Sequence, residues 1–238
     1  MNWNRDCVAI IPCFNEAARI HRVVTEVQKY LPSVIVVDDG STDTTAAEAK
    51  AAGAEVIPLP KNSGKGAALR HGWQRAHELG FQWVLMLDGD GQHAADDIPK
   101  FFDRVKKTNA PLVIGNRMEN PGAMPFIRRC ANRWMSRRIS KLTGAELPDS
   151  QCGFRLAHLK TLLNLPLRAN RFEIESAMLV AFLAAGKKVG FVPVRAIYEN
   201  RASKINPLAD TIRWLRWRAA QPPPLRGRPV IHPATPGL

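Results

Sequence analysis

Long apolar runs are missing from this chain. Hydrophobic residues make up 45% of its 238 positions, but no run approaches the ~20 residues needed to cross a bilayer. Residues Met1 to Asp6 have neither the apolar core nor the cleavage site of a secretory leader, so the protein is expected to stay in the cytoplasm. Cysteine is scarce. Cys7, Cys13, Cys130 and Cys152 show no Cys-x-x-Cys or Cys/His spacing of the kind that holds zinc. Three of the four lie in apolar or strand-like contexts, and buried free thiols are expected there. Acids are short against bases: 21 Asp and Glu face 34 Lys and Arg, a net charge of +13. That excess calls for an anionic partner, whether nucleic acid, an acidic membrane face or a phosphorylated substrate. There is no internal repeat. From Gln221 onward apolar residues thin out among Pro222, Pro223, Pro224, Pro229, Pro233 and Pro236, so 221–238 is expected to be an extended, disordered tail.

What is present is enough for one sizeable α/β domain. Short apolar runs at Cys7–Ile11, Val34–Val37, Glu55–Ile57, Trp83–Leu87 and Leu112–Ile114 alternate with helical patterns at Glu16–Tyr30, Asp43–Ala52, Lys65–Leu79 and Asp96–Lys107. Such alternation gives a mostly parallel sheet flanked by helices. After a Gly/Pro/Met loop at Glu119–Pro125, helices are expected at Phe126–Leu142, Glu173–Ala185 and Pro207–Ala219. Strands are expected at Gly153–Ala157 and Lys188–Val194.

Four strand ends carry polar groups, and ligands bind at the carboxyl edge of an open α/β sheet. The first ends in Pro12-Cys13-Phe14-Asn15-Glu16, where Asn15 and Glu16 suit either a helix start or a ligand contact. The second ends in Asp38-Asp39-Gly40-Ser41-Thr42-Asp43. Ser41 or Thr42 is expected to cap the next helix, and Asp39 to meet a base N–H or ribose hydroxyl. The stretch Asn62-Ser63-Gly64-Lys65-Gly66 lacks the spacing of a Walker loop, yet its glycines admit close backbone approach and Lys65 can set a point charge beside a diphosphate. The fourth is Leu87-Asp88-Gly89-Asp90-Gly91-Gln92-His93. Its spacing lets Asp90 and Gln92 turn oxygens to one side of a divalent cation with Asp88 nearby, a hard donor set suited to Mg²⁺ or Mn²⁺. Asp-Gly pairs also make ordinary turns, but four decorated strand ends in succession are not explained by turns.

Together these motifs resemble the inverting family 2 glycosyltransferases of GT-A fold. The likeness continues through Val113-Ile114-Gly115-Asn116-Arg117, Pro148–Arg155 and Ala202-Ser203-Lys204, over about residues 7–218. The nearest subgroup is the polyprenyl-phosphate sugar transferases, such as dolichyl-phosphate mannose synthase. The resemblance implies a metal on Asp90 and Gln92, a nucleotide against Pro12, Asn15, Glu16 and Asp39, and a diphosphate near Asp88, Lys65, Arg201 and Lys204. It implies a single GT-A domain over 1–220, with a nucleotide-sugar half (about 1–116) and an acceptor half (117–220). Gln151-Cys152, where small hydroxyl residues are expected, and Arg201 depart from the pattern.

On the acceptor side, a helix over Phe126–Leu142 places Ile127, Ala131, Trp134, Met135 and Leu142 on one face at about 100° per residue. Arg129, Arg133, Ser136 and Ser140 lie opposite. Arg129 and Arg133, four apart, can converge on one anion, and Arg117 is a third candidate; a solvated basic face is the plainer alternative. In the last helix Leu208, Ile212 and Leu215 are expected to pack on the body. That leaves Trp214 and Trp217, among arginines, for a membrane interface or another protomer.

The expected reaction is transfer from a GDP- or UDP-linked sugar to a polyprenyl phosphate or related lipid, at the inner face of the membrane with the protein bound peripherally. A separate membrane subunit is a possible further partner. Asp88 and Asp90 are the acids at the reaction centre. A phosphate acceptor needs no strong base, whereas a hydroxyl acceptor would need one, with Asp149 the candidate. A sugar-nucleotide nucleotidyltransferase is disfavoured because Pro12–Glu16 stands where its Gly-rich basic loop belongs. Nucleic-acid binding is disfavoured because strand-end carboxylates repel phosphates unless a metal intervenes.

Overall fold

The computed structural model describes residues 1–119, 121–122, 124–198, 207–220 and 231–232. The chain runs α1 (Trp3–Asp6), β1 (Cys7–Cys13), α2 (Ala17–Gln28), β2 (Val34–Asp38), α3 (Thr45–Ala51), β3 (Glu55–Pro58), α4 (Lys65–Glu78), β4 (Trp83–Met86), α5 (Ile98–Thr108) and β5 (Leu112–Asn116). It continues through α6 (Phe126–Thr143), β6 (Arg155–His158), α7 (Leu159–Leu163), α8 (Ile174–Ala184), β7 (Val189–Pro193), α9 (Pro207–Ala219) and β8 (Ile231–His232). All the expected strands and helices are present, with ends shifted by a residue or two. The short α1 and α7 were not anticipated. Nor was β8, a two-residue strand within the stretch expected to be a disordered tail, which pairs in parallel with β7.

One sheet holds every strand, in the order β3-β2-β1-β4-β6-β5-β7-β8. All neighbours are parallel except β6, which runs antiparallel to both β4 and β5. β1, β2, β4 and β5 are buried along their whole length, as strands covered on both faces must be, and this is why they read as unbroken apolar runs. From β1 the chain winds to one side through β2 and β3, then crosses back to place β4 on the other side of β1. The crevice between the carboxyl ends of β1 and β4 is therefore the switch point where such sheets take ligands. Because β6 comes from the second half of the chain and lies between β4 and β5 of the first, the two halves share a single sheet.

Two helices differ from the faces expected: α6 is turned by about a quarter-turn, with Leu142 still inside, and α9 is reversed. In α6 the inward face carries Asn132, Ser136, Ile139, Leu142 and Thr143, while Phe126, Ile127 and Trp134 point outward. In α9 Trp214 is buried, and Ile212 and Leu215 are exposed. Leu208 lies in α9, but its side chain falls outside the described residues. The cause is a buried polar network. Ser136 Oγ lies 3.1 Å from Ser150 Oγ and accepts the Ser150 amide at 2.9 Å. Gln151 Nε2 donates to Ser150 Oγ (2.7 Å) and Ser176 Oγ (2.8 Å), and the Trp214 indole N–H donates to the same Ser176 Oγ at 2.9 Å. These hydroxyls satisfy one another only when turned inward, so polar groups occupy an inner face that helical periodicity assigns to apolar ones. Gln151 supplies the bridge that the expected small residue could not span.

Candidate active site

The site is built where β1, β2 and β4 end. Past β2, Asp39 accepts the amides of Ser63 (2.7 Å) and Gly64 (2.8 Å) and so holds the loop that leads into α4. Gly64 sits at φ 96°, where a side chain would be strained, and an added Cβ would stand 2.6 Å from the Asn170 carbonyl oxygen. Next to Asp39, Asp38 bonds the Ser41 amide and hydroxyl, and Asn15 Oδ1 accepts the Thr42 amide at 2.8 Å. Ser41 and Thr42 thus tie the β2 turn to the β1 turn and do not cap α3. The amide at its start, Thr45, donates to Asp43 (3.0 Å). Asn15 has positive φ (54°), Pro12 is buried in β1, and the buried Glu16 pairs with Arg19 at 2.9 Å.

The loop that Asp39 holds delivers Lys65 to the first turn of α4. Its ammonium pairs with Asp88, just past β4, and with Glu175 Oε1 of α8 at 2.5 Å. Burial would lower the Lys65 pKa, but the two carboxylates outweigh it and hold it above the usual lysine range. Burial would likewise raise Asp88. Lys65, together with His93 Nε2 at 3.3 Å, instead holds that carboxyl far below the usual range. Gly153, just before β6, makes room for this pair: a Cβ there would lie 2.7 Å from Lys65 Nζ and 2.8 Å from Asp88 Oδ2. The Asp88 side chain keeps 31% exposure, so the crevice reaches it.

Asp90 is placed differently. Its Oδ1 accepts the Gln92 amide at 3.0 Å, and it forms no ion pair among the described residues. Burial and the Asp88 charge raise its pKa. Beside it, Gln92 Oε1 accepts from Arg128 of α6 at 3.3 Å, and the Gln92 carbonyl accepts the Ile197 amide at 2.9 Å. No group of three His, Cys, Asp or Glu side chains converges among the described residues. The donor set of the Asp90 carboxylate and the Gln92 carbonyl nevertheless fits Mg²⁺ or Mn²⁺. Such ions are held by one or two protein oxygens and complete their shell with substrate phosphates and water.

The acceptor-side residues are not gathered as expected. Arg117, after β5, is buried in a two-pronged pair with Asp149: Nε to Oδ2 at 2.8 Å and Nη2 to Oδ1 at 3.0 Å. The Gln151 amide also bonds Asp149 Oδ1 at 3.1 Å. Burial opposes the Arg117 charge, but Asp149 more than restores it. Arg129 lies over the Phe126 ring at 5.6 Å, while Arg133 is exposed on the outer flank of α6. Arg128, not singled out from the sequence, is the α6 arginine that reaches the Asp90–Gln92 loop, and its guanidinium also covers the Tyr198 ring at 5.5 Å. Glu175 was missed as well. Its signal was available, since it is the lone acid within the apolar helix α8. Arg201 and Lys204 lie outside the described residues.

Residues 8–163 match the family described as Glycosyl transferase family 2. The glycosyltransferase AglJ of Haloferax volcanii is 35% identical over 192 residues, which is 79% of this chain and 62% of that protein; the chain thus spans less than two thirds of this relative. A UDP-N-acetylglucosamine–dolichyl-phosphate N-acetylglucosaminyltransferase of Methanococcus voltae is 32% identical over 212 residues, covering 79% of this chain and 84% of the relative. Among solved structures, glucosyl-3-phosphoglycerate synthase of Mycobacterium tuberculosis, in complex with Mn²⁺, UDP-glucose and phosphoglyceric acid, superposes with a TM-score of 0.70. That match has 22% identity and covers 92% of this chain and 81% of that one, a likeness of fold. With decorated strand ends on a GT-A sheet and a family match over more than half its length, the chain belongs to glycosyl transferase family 2.

Proposed function

We propose that the enzyme transfers a sugar from a UDP-linked donor to the phosphate of a polyprenyl-type lipid, with inversion at the anomeric carbon. The observation that carries the donor half is the strand-end cluster: Lys65 against Asp88, with Asp90 beside them free of any described cation. The choice of UDP and of a lipid phosphate draws on the M. voltae relative, whose name joins the two.

In this reading Asp39 keeps the Ser63-Gly64 backbone in place and faces the nucleotide together with Pro12, Asn15 and Glu16. Lys65, at the start of α4, carries positive charge to the diphosphate, and the positive end of the helix dipole adds to it. Asp90 and Gln92 would hold Mg²⁺ or Mn²⁺, which neutralises charge on a departing diphosphate. Lys204 and Arg201 are further cations for the same group. Arg128, with Arg129 next to it on α6, brings positive charge to the acceptor phosphate, whereas Arg133 stands on the outer flank of the helix. Catalysis is then chiefly positioning and electrostatic stabilisation, because an acceptor phosphate is already anionic at neutral pH.

The Arg117–Asp149 pair bears on the alternative of a hydroxyl acceptor. Both Asp149 oxygens take hydrogen bonds from Arg117, so neither is directed at an incoming hydroxyl as a base needs. Asp149 is better read as the group that fixes Arg117. Incubation with radiolabelled nucleotide sugars, Mn²⁺ and a polyprenyl phosphate, followed by solvent extraction, tests the reading. Label is expected in the lipid phase from a UDP-sugar, and no label from any donor would sink it.

A further inference from the structure

The outer flank of α6 holds an open cavity of about 780 Å³ that the reaction does not use, bounded on its far side by Glu146, Leu147 and Pro148. Arg133, Arg137, Arg138 and Lys141 line it, with Glu146 as the only acid. None of the four cations enters an ion pair among the described residues, and Arg138 meets only the Trp134 ring, 5.1 Å from its guanidinium carbon. Four positive charges around one hollow repel each other unless water or an anion lies between them.

The position of the cavity excludes the reacting phosphate. Arg128 marks the point where α6 meets the Asp90–Gln92 loop. At 1.5 Å of rise per residue, Arg137 lies roughly 14 Å and Lys141 roughly 20 Å farther along the helix axis. An anion held there cannot reach an anomeric carbon beside Asp90, so the cavity is a second anion site.

The same outer surface is also apolar. Phe126 is 69% exposed and Ile127 82%, both on α6. The Trp134 ring stands 5.6 Å from Trp214, which joins α9 to α6, and α9 adds Ile212 (49% exposed) and Leu215 (42%). A dissolved phosphate or a nucleic-acid backbone would engage the cations and leave these apolar groups in water. A bilayer with anionic headgroups meets both at once, apolar groups below headgroup depth and cations at it. We propose that this cavity receives the phosphorylated headgroup of an anionic membrane lipid while the outer faces of α6 and α9 lie on the same membrane. The inference deepens the lipid reading and rests on it for the nature of the partner.

The test uses the full chain and sedimentation with vesicles of phosphatidylcholine, alone or mixed with phosphatidylglycerol. The variant Arg137→Gln/Arg138→Gln/Lys141→Gln removes three cations and leaves Arg133 in place. At roughly fivefold per cation, its affinity for the anionic vesicles is expected to fall on the order of 100-fold. Transfer to detergent-dispersed polyprenyl phosphate should be unchanged. Ile127→Gln is expected to weaken binding to both kinds of vesicle. Wild-type binding by the triple variant would overturn the proposal. So would inorganic phosphate occupying the cavity, seen as chemical-shift changes at these residues, without any preference for anionic vesicles. Failure of the transfer reading looks different: the wild-type chain still prefers anionic vesicles and the triple variant still loses that binding, but no donor labels the lipid.

Discussion

Asp90 carries a cost that its neighbours do not share. Asp88 has Lys65 and His93 beside it, whereas Asp90 has burial and the Asp88 charge, and its pKa is raised. A carboxyl raised on folding contributes stability that is complete below its unfolded value, about 3.9, and is lost as pH rises through the folded value. At neutral pH the ionised group therefore destabilises the empty enzyme. Asp90→Asn is expected to raise the Tm of the metal-free protein by a few degrees above that pH window, with no gain at lower pH. The same change should lower turnover by at least about 100-fold. Calorimetry across pH beside a transfer assay checks both. Gly153→Ala acts on the other acid: its Cβ would crowd Lys65 Nζ and Asp88 Oδ2. Turnover is expected to fall about tenfold or more, since displacing a positioning group is costly, with little change in Tm. For the thiols, burial pushes Cys152 up to about 11, and Cys7 and Cys13 are buried while Cys130 is exposed. Alkylation of the folded protein near neutral pH should label Cys130 first, with mass spectrometry as the readout. At this scale Asp39, Lys65, Asp88, Asp90 and Gln92 were legible because each lies in the turn that follows a strand or opens a helix. Arg128 was not, because Gln92 is more than thirty residues away in sequence and only the fold brings the two together; Glu175 stands out as the lone acid of α8, but nothing near it in sequence names Lys65 as its partner.

The elements themselves were legible for a simple reason: buried parallel strands are short apolar runs, and little else in this chain resembles them. The faces of α6 and α9 were not. A helical wheel ranks residues by polarity alone, whereas Ser136, Ser150, Gln151, Ser176 and the Trp214 indole satisfy one another indoors. The network knits α6, α8 and α9 to the loop before β6. Trp214→Phe keeps one aromatic ring but removes the donor and part of the buried indole, so it is expected to cost about 1 kcal/mol or more in denaturant unfolding. Arg155, at the start of β6, holds the same loop from below. It is fully buried and donates to the carbonyls of Cys152 (2.7 Å), Glu175 (2.6 Å) and Ser150 (2.9 Å). Arg155→Met strands three carbonyls, and a loss of about 3 kcal/mol or more is expected from the same measurement.

For the whole molecule, the net charge of +13 pointed to an anionic partner without choosing one. The structure gathers four of these cations, Arg133, Arg137, Arg138 and Lys141, around one cavity on the outer flank of α6. No helix among the described residues is long and apolar enough to cross a membrane. The sheet order has a consequence for how the enzyme is made. β5 never touches β4, because β6 lies between them. A chain emerging from the ribosome therefore completes β1 to β4 early, and β5 must wait some forty residues for the strand that joins it to the rest. During that interval its edge is open, a known opportunity for aggregation. A nascent chain halted just after Asn116 should accordingly be cut by protease within β5 while β1 to β4 resist, and one extended past β6 should protect both.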